Sequence, residues 1–370
     1  MFSRTATVAL AVFLIPAATL HANVTLQFDT SLDTNGFFAP GSNALATLEA
    51  AGDFFSGILQ DDLLAIVPKA RNSWEAIVSH PSTGEEYRIP NLVVPADTII
   101  IYVGSRDIDG NTLAYGGPGG YSASGFASWF EIVERRGEGP TKGTDAVDFA
   151  PWGGMVSVDA GSVWHDDYLT LPSSGKNDLY STLLHEIGHV LGFGLADSWT
   201  RFVSGTRFTG PEAVAVHGSE PSVTSTGTHW ANSTQSYVFP TGAKQEAAMD
   251  PDLAQGRRKV FTYLDVAALA DIGWQISVGP FLPGDLNGDG YVGSADLDLV
   301  RSRWGAAVSP GPANGDPSGD GVVGSADLDL VRANWGAGVP PAAAVPEPAT
   351  GLILLALSGF LAVRPRRSPR

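Results

Sequence analysis

The amino-acid sequence predicts one large α/β (α+β) domain followed by a small duplicated module. Three observations carry this. Between about residues 23 and 278, strand-like runs with alternating or continuous apolar residues are interspersed with helix-period runs. One helix-period run holds two histidines four residues apart, His185 and His189. Beyond a short linker, Gly279 to Gly284, the chain repeats itself with an offset of 31 residues, Asp285 onto Asp316. A chain of 370 residues can bury one sizeable core and still carry a second small unit.

The elements follow in order. Arg4 and the apolar run Val8 to Leu20 read as a signal peptide cut near Ala22, covering 1–22, with a buried N-terminal helix as the other reading. Val24, Leu26 and Phe28 alternate, as in a first strand. Ala44 to Leu64 has helical spacing through Leu48, Ala51, Phe55, Ile58 and Leu59. Asp97 to Val103 is a β-branched strand, and the glycines from Gly116 to Gly120 break the chain. Phe126 to Val133 is a further apolar segment, and Gly154 to Asp159 reads as a strand. Asn177 or Asp178 caps the helix of the histidine pair, and Asp265 to Ile272 is a last helix ended by Gly273. Nothing in these runs sets the order of strands in a sheet.

Composition narrows the function. A net charge of -17 excludes a nucleic-acid surface, which must be basic, and suits an exported, cation-binding protein. The absence of cysteine excludes thiol catalysis, thiolate metal sites and disulfides. Gly 44 and Pro 25 supply abundant turns and linkers. Residues 338–344 form a Pro/Ala-rich spacer. Beyond it, Val345-Pro346-Glu347-Pro348 precedes an apolar run, Leu352 to Val363, and a cluster of arginines ending at Arg370. This tail, 345–370, resembles the PEP-CTERM sorting signal. The resemblance implies an exported cell-envelope or extracellular protein handled by export and exosortase-type sorting machinery. A permanent membrane tail is the other reading.

The central motif is His185-Glu186-Ile187-Gly188-His189-Val190-Leu191-Gly192. Residues four apart share a helix face, so both imidazoles can meet one metal ion. Glu186, beside them, can take a proton from a metal-bound water. Leu183, Leu184, Ile187, Val190 and Leu191 supply the apolar side of that helix. The pattern HExxHxxG resembles the metzincin metallopeptidases, where the glycine turns the chain toward a third ligand. Three residues beyond Gly192 stands Leu195, which cannot bind zinc. The order of a distant Gly227-Thr228-His229-Trp230, then Ala248-Met249-Asp250-Pro251, then Thr262 to Trp274 is similar to leishmanolysin-type peptidases. There an insertion separates the glycine from the third histidine. The resemblance, over roughly Gly154 to Trp274, implies a metzincin-like zincin domain at 23–278 with a twisted mixed sheet and an active-site helix. It implies one catalytic zinc on His185, His189 and His229, Glu186 as general base, Met249 as the Met-turn residue, and a protein or peptide substrate. Two departures are Thr228 in place of a serine and a lengthened His229-to-Met249 gap. From the residues alone, His217 is the next candidate ligand, His165 reads as surface, and Met249 could equally be an ordinary core methionine.

The duplicated loops follow D-x-[N/S]-x-D-G with a closing carboxylate. Oxygen-bearing residues at alternating positions suit calcium, and the glycine allows a sharp turn. The first loop offers Asp285, Asn287, Asp289, Asp296 and the carbonyl of Tyr291; the second offers Asp316, Ser318, Asp320, Asp327 and the carbonyl of Val322. Each is followed by LDLVRxxWG. Over 283–337 this resembles the dockerin type I module, which implies a small all-α unit, two calcium ions and a cohesin-like partner. A calcium-stapled spacer is the alternative role. The whole chain thus reads as an exported zinc-dependent endopeptidase, with a calcium-dependent cell-envelope binding or scaffold protein as the competing class.

Overall fold

The computed structural model describes residues 23–240, 242–276, 284–287, 290–308, 315–317 and 322–338. The expected signal peptide 1–22 and sorting tail 345–370 lie outside these residues, as does nearly all of the spacer 338–344. Among the described residues no helix is long and apolar enough to cross a membrane.

Val24 and Leu26 are buried as the alternation requires, and β1 (Thr25–Asp29) forms around them. Helix α1 (Asn43–Ser56) starts at Ser42, whose hydroxyl accepts Leu45 N–H at 3.1 Å. It stops well before Leu64, where the spacing had carried it. Past Gly57 the backbone is claimed elsewhere: Leu59 O accepts Val24 N–H, Gln60 N–H bonds Gln275 O, and Leu64 N–H bonds Arg136 O.

The next strands are β2 (Ser73–Ser79), β3 (Glu86–Pro90), β4 (Thr98–Arg106), β5 (Ala114–Pro118), β6 (Gly120–Ser124) and, after α2 (Ala127–Arg135), β7 (Gly153–Asp159). The main sheet runs β1-β4-β7-β5, parallel except for β5, which pairs antiparallel with β7 and lies at the edge. A smaller antiparallel sheet runs β3-β2-β6. Of the glycines expected to break the chain, Gly116, Gly117 and Gly120 therefore sit in strands, and Gly119 alone separates β5 from β6. A Cβ on Gly119 would lie 2.1 Å from the Trp152 ring, and one on Gly153 2.0 Å from Ile100 O, so these glycines permit close approach.

Strand β4 is buried on both faces. Ile99, Ile101 and Val103 join one core with α1 and the histidine helix, and Ile100 and Tyr102 join a second with Trp74, Trp129, Trp152 and Met155. That is why its sequence is a continuous apolar run. The remaining helices of the large domain are α3 (Leu179–Val190), α4 (Asp197–Thr200), α5 (Pro211–His217) and α6 (Tyr263–Asp271). The domain is thus mixed α and β, as expected.

In the duplicated segment, α7 (Ser294–Ser302) and α8 (Ser325–Ala333) pack around Leu286, Val292, Val300, Val323 and Val331. The repeats cross-pair. Gly305 N–H bonds Val323 O at 2.8 Å, and Gly336 N–H bonds Val292 O at 2.9 Å. Each loop is thereby completed by the end of the other copy.

Candidate functional site

Asp178 is the cap of α3: its carboxylate accepts Ser181 N–H at 3.2 Å. Arg258 holds that buried carboxylate with a 2.8 Å ion pair, which ties the 250–259 loop to the helix start. Leu183, Leu184, Ile187, Val190 and Leu191 are fully buried and set the helix rotation. His185, Glu186 and His189 then line a cleft of 1080 Å³ together with His229 and residues 110–116, 161–163, 248 and 250–255.

The three histidines converge. His185 Nε2 lies 3.1 Å from His189 Nε2 and 3.1 Å from His229 Nε2, and the third side is 3.0 Å. His185 Nδ1 contacts Ala248 O at 2.8 Å and His189 Nδ1 contacts Phe193 O at 2.9 Å. A carbonyl only accepts, so both Nδ1 atoms carry the proton and both Nε2 atoms present lone pairs. Lone pairs turned on one another at this distance call for a cation between them. Tetrahedral zinc with bonds of about 2.0–2.1 Å would hold its nitrogens about 3.3 Å apart, so the donor set fits. His229 Nδ1 contacts Thr228 Oγ1 at 3.0 Å, the usual kind of outer hydrogen bond for a ligating imidazole. Burial lowers all three imidazoles, His185 well below its ordinary value and His189 to about 4, with the neighbouring histidines adding to it for those two. Neutral imidazole is the ligating form.

Glu186 is buried beside them. Burial pushes its carboxyl up to about 8, against a hydrogen bond from Gly116 N–H. A Cβ on Gly116 would lie 2.4 Å from Glu186 O, so edge strand β5 can lie on α3 only because that residue is glycine.

The third histidine arrives across a packed insertion. Gly192 and Gly194 adopt φ values of +97° and +75°, and a Cβ on Gly194 would come within 2.1 Å of Thr228 O. Phe193, Trp199, Phe208 and Trp230 then stack, with centroids 4.1 Å apart for Phe193–Trp199 and 4.2 Å for Trp199–Phe208. Trp199 Nε1–H also bonds Gly227 O at 2.7 Å. Leu195, at the nearby position where HExxHxxG would place a ligand, is 45 % exposed and reaches toward Gly117.

Met249 is fully buried, and a Cβ on Gly188 would lie 2.7 Å from its sulfur, which places it against the helix between the two histidines. His217 instead bonds Ser219 at the end of α5, and His165 bonds Thr170 on the surface. Among the described residues the histidine triad is the one group of three or more His, Asp or Glu side chains whose ligand atoms converge on a common point.

Sequence reasoning missed Asp265. Its carboxylate caps α6 and accepts Ala248 N–H at 2.9 Å, Met249 N–H at 3.2 Å and the Trp230 indole N–H at 2.9 Å. The available signal was Thr262-x-x-Asp265, a capping box. Lys259, buried at the cleft and paired with Asp250, was missed too.

Of the loop residues, Asp296 is buried, and its Oδ1 accepts Leu286 N–H at 2.7 Å and Asn287 N–H at 3.2 Å. Asp285 Oδ2 accepts Gly290 N–H at 2.9 Å, so both carboxylates sit on one turn. Asp316 and Asp327 are buried, and the second loop's Val322 bridges Ala307 as Tyr291 bridges Gly338. Asp289, Ser318 and Asp320 lie outside the described residues. No curated protein and no solved structure matches the chain. Residues 283–334 match the dockerin type I domain family, and the duplicated loops with their two helices are a dockerin type I domain, a calcium-binding module.

Proposed function

We propose that the large domain is a zinc-dependent endopeptidase of leishmanolysin-like, metzincin type, exported and attached through its dockerin domain to a cohesin-like partner. The observation that carries it is the triangle of Nε2 atoms, 3.0–3.1 Å on a side, with two of the Nδ1 protons committed to carbonyls. A zinc ion held there supplies Lewis acidity and lowers the pKa of water.

The chain's own residues do the rest. Glu186 is one residue from His185 and buried in the same cleft, placed to accept the proton of the attacking water and return it to the leaving amine. Edge strand β5 leaves one side free of sheet pairing and contributes Ala114, Tyr115 and Gly116 to the cleft wall. An extended peptide can add to it as a strand, which holds a scissile bond along α3 without regard to side chains. The net charge of -17 agrees with an exported location and with calcium binding.

The test is hydrolysis of an unfolded protein by the full chain. Activity with zinc, loss on zinc-selective chelation with calcium kept, and recovery on zinc addition are expected. A zinc-saturated chain that cleaves nothing overturns the reading and leaves the calcium-dependent envelope-binding role.

A further inference from the structure

The cleft extends beyond the histidines toward the start of α3. There it is walled by Asn177, Ser181 and Thr182 from the helix side and by Asp250 and Lys259 from the opposite loop. All five are buried, so this end of a protein cleft is lined by polar groups. Most are spent on one another. Lys259 Nζ is paired with Asp250 and lies 3.4 Å from Glu246. Asp178 is neutralised by Arg258 at 2.8 Å. Ser181 Oγ donates to Asp178 at 2.5 Å and accepts Lys259 N–H at 2.8 Å, and Thr182 Oγ1 donates to Asp178 O at 3.0 Å.

Asn177 is the exception. Its backbone N–H bonds Val163 O at 2.8 Å, and it pairs with Trp164. The residue is 7 % exposed, yet its carboxamide makes no hydrogen bond among the described residues and is not among the side-chain atoms sealed from solvent without a partner. It therefore opens on the cleft that it lines. A carboxamide that opens on the cleft without a protein partner keeps its donor and acceptor available to whatever occupies the cleft.

We propose that this end of the cleft is a subsite for an uncharged carboxamide side chain, Gln or Asn, of a peptide substrate, with Asn177 as its specificity-determining residue. This rests on the peptidase reading above. A carboxamide offers a donor and an acceptor side by side, and another carboxamide satisfies both at once. The neighbouring charges are already paired, so neither an acidic nor a basic side chain finds an uncompensated opposite there. Asn177 stands two residues before Leu179, the first residue of α3, and the helix rises about 9 Å from Leu179 to His185, so the separation along the cleft is at least that. That is about three or four residues of extended peptide, so the recognised residue sits that far from the scissile bond.

The test uses the full, zinc-loaded chain and a set of peptides differing at one position, scanned outward from the cleavage point with Gln, Leu, Glu or Lys. Expected is a kcat/KM about tenfold or more higher for Gln than for the others at one position about three or four residues away. Asn177→Leu abolishes the preference, bringing the Gln peptide down to or below the level of the Leu peptide. The nearly isosteric Asn177→Asp guards against misfolding and moves the preference to Lys. A second readout is fluorescence anisotropy of labelled Gln and Leu peptides on the chain after zinc-selective chelation with calcium kept, where the same order is expected. Cleavage with equal rates for all four, a preference for Glu, or a Gln preference that survives Asn177→Leu overturns the inference and leaves the peptidase reading intact. If no peptide is cleaved, the peptidase reading falls, and the binding order alone decides whether the subsite stands.

Discussion

The carboxylate of Asp265 accepts the indole N–H of Trp230 at 2.9 Å, 35 residues away in the chain. The same carboxylate accepts Ala248 N–H, and Ala248 O in turn bonds His185 Nδ1. One buried residue at the start of α6 thus positions both the neighbour of His229 and the partner of His185.

Asp265→Ala leaves five buried donors without this acceptor, the amides of Ala248, Met249 and Thr262, the Thr262 hydroxyl and the Trp230 indole. At about 1–3 kcal/mol each, the loss amounts to about 5 kcal/mol or more. Denaturant unfolding should show it, and zinc titration of the surviving folded protein should show weaker binding. Unchanged zinc affinity in a folded Asp265→Ala chain would separate the network from the metal centre.

His229→Ala removes one of three converging nitrogens. Zinc content after dialysis should fall from one per chain to near none, whereas His217→Ala, at a residue bonded to Ser219, should keep its zinc. Metal analysis of the two variants side by side decides between the two histidines.

Glu186→Gln keeps the shape of the side chain and removes its basicity. The expected fall in kcat/KM is about 10²–10⁴-fold with zinc content unchanged. Full activity in that variant would show that another group moves the proton.

Asp61 is buried, and burial pushes its carboxyl up to about 7, with Glu138 and Asp148 adding to the rise and the Gln275 N–H opposing it. The unfolded chain releases this proton near pH 4. The stability tied to the protonated form is therefore complete below about pH 4 and is lost as pH rises through about 7. Asp61→Asn keeps an acceptor for Gln275 and removes the ionisation. Its Tm should exceed that of the natural chain by several degrees at pH 8 and match it at pH 4. Parallel melting curves across that range would assign the pH dependence elsewhere.

Calcium removal should unfold the 283–334 module, because its buried core beyond Leu286, Val292, Val300, Val323 and Val331 is small. Calorimetric titration should find two calcium ions per chain, and Asp296→Ala should reduce that to one. Retention of both in the variant would exclude Asp296 as a ligand.

The sequence by itself determined what depends on short spacing. His185 and His189 share a helix face because 3.6 residues make a turn, and a cap at Asn177 or Asp178 was legible because such a side chain reaches an amide three residues on; the structure chose Asp178. The duplicated loops were legible because each liganding pattern lies within twelve residues, and the match over 283–334 agrees with them. Periodicity and residue type also announced β1, β4, β7 and α6, whereas the apolar segment that forms α2 was not assigned a type. Tertiary structure decided the rest. The glycine-rich run looks like a break until Glu186 is seen to exclude a side chain at Gly116 and Trp152 to exclude one at Gly119. Family resemblance pointed to His229, but residue spacing could not choose it over His217, because 40 residues separate it from His189 and only the aromatic stack of Phe193, Trp199, Phe208 and Trp230 closes that loop. The carboxamide of Asn177, without a hydrogen-bond partner among the described residues, has no sequence signature at all, because a missing hydrogen bond is a property of the residues packed around a side chain and not of its neighbours in the chain.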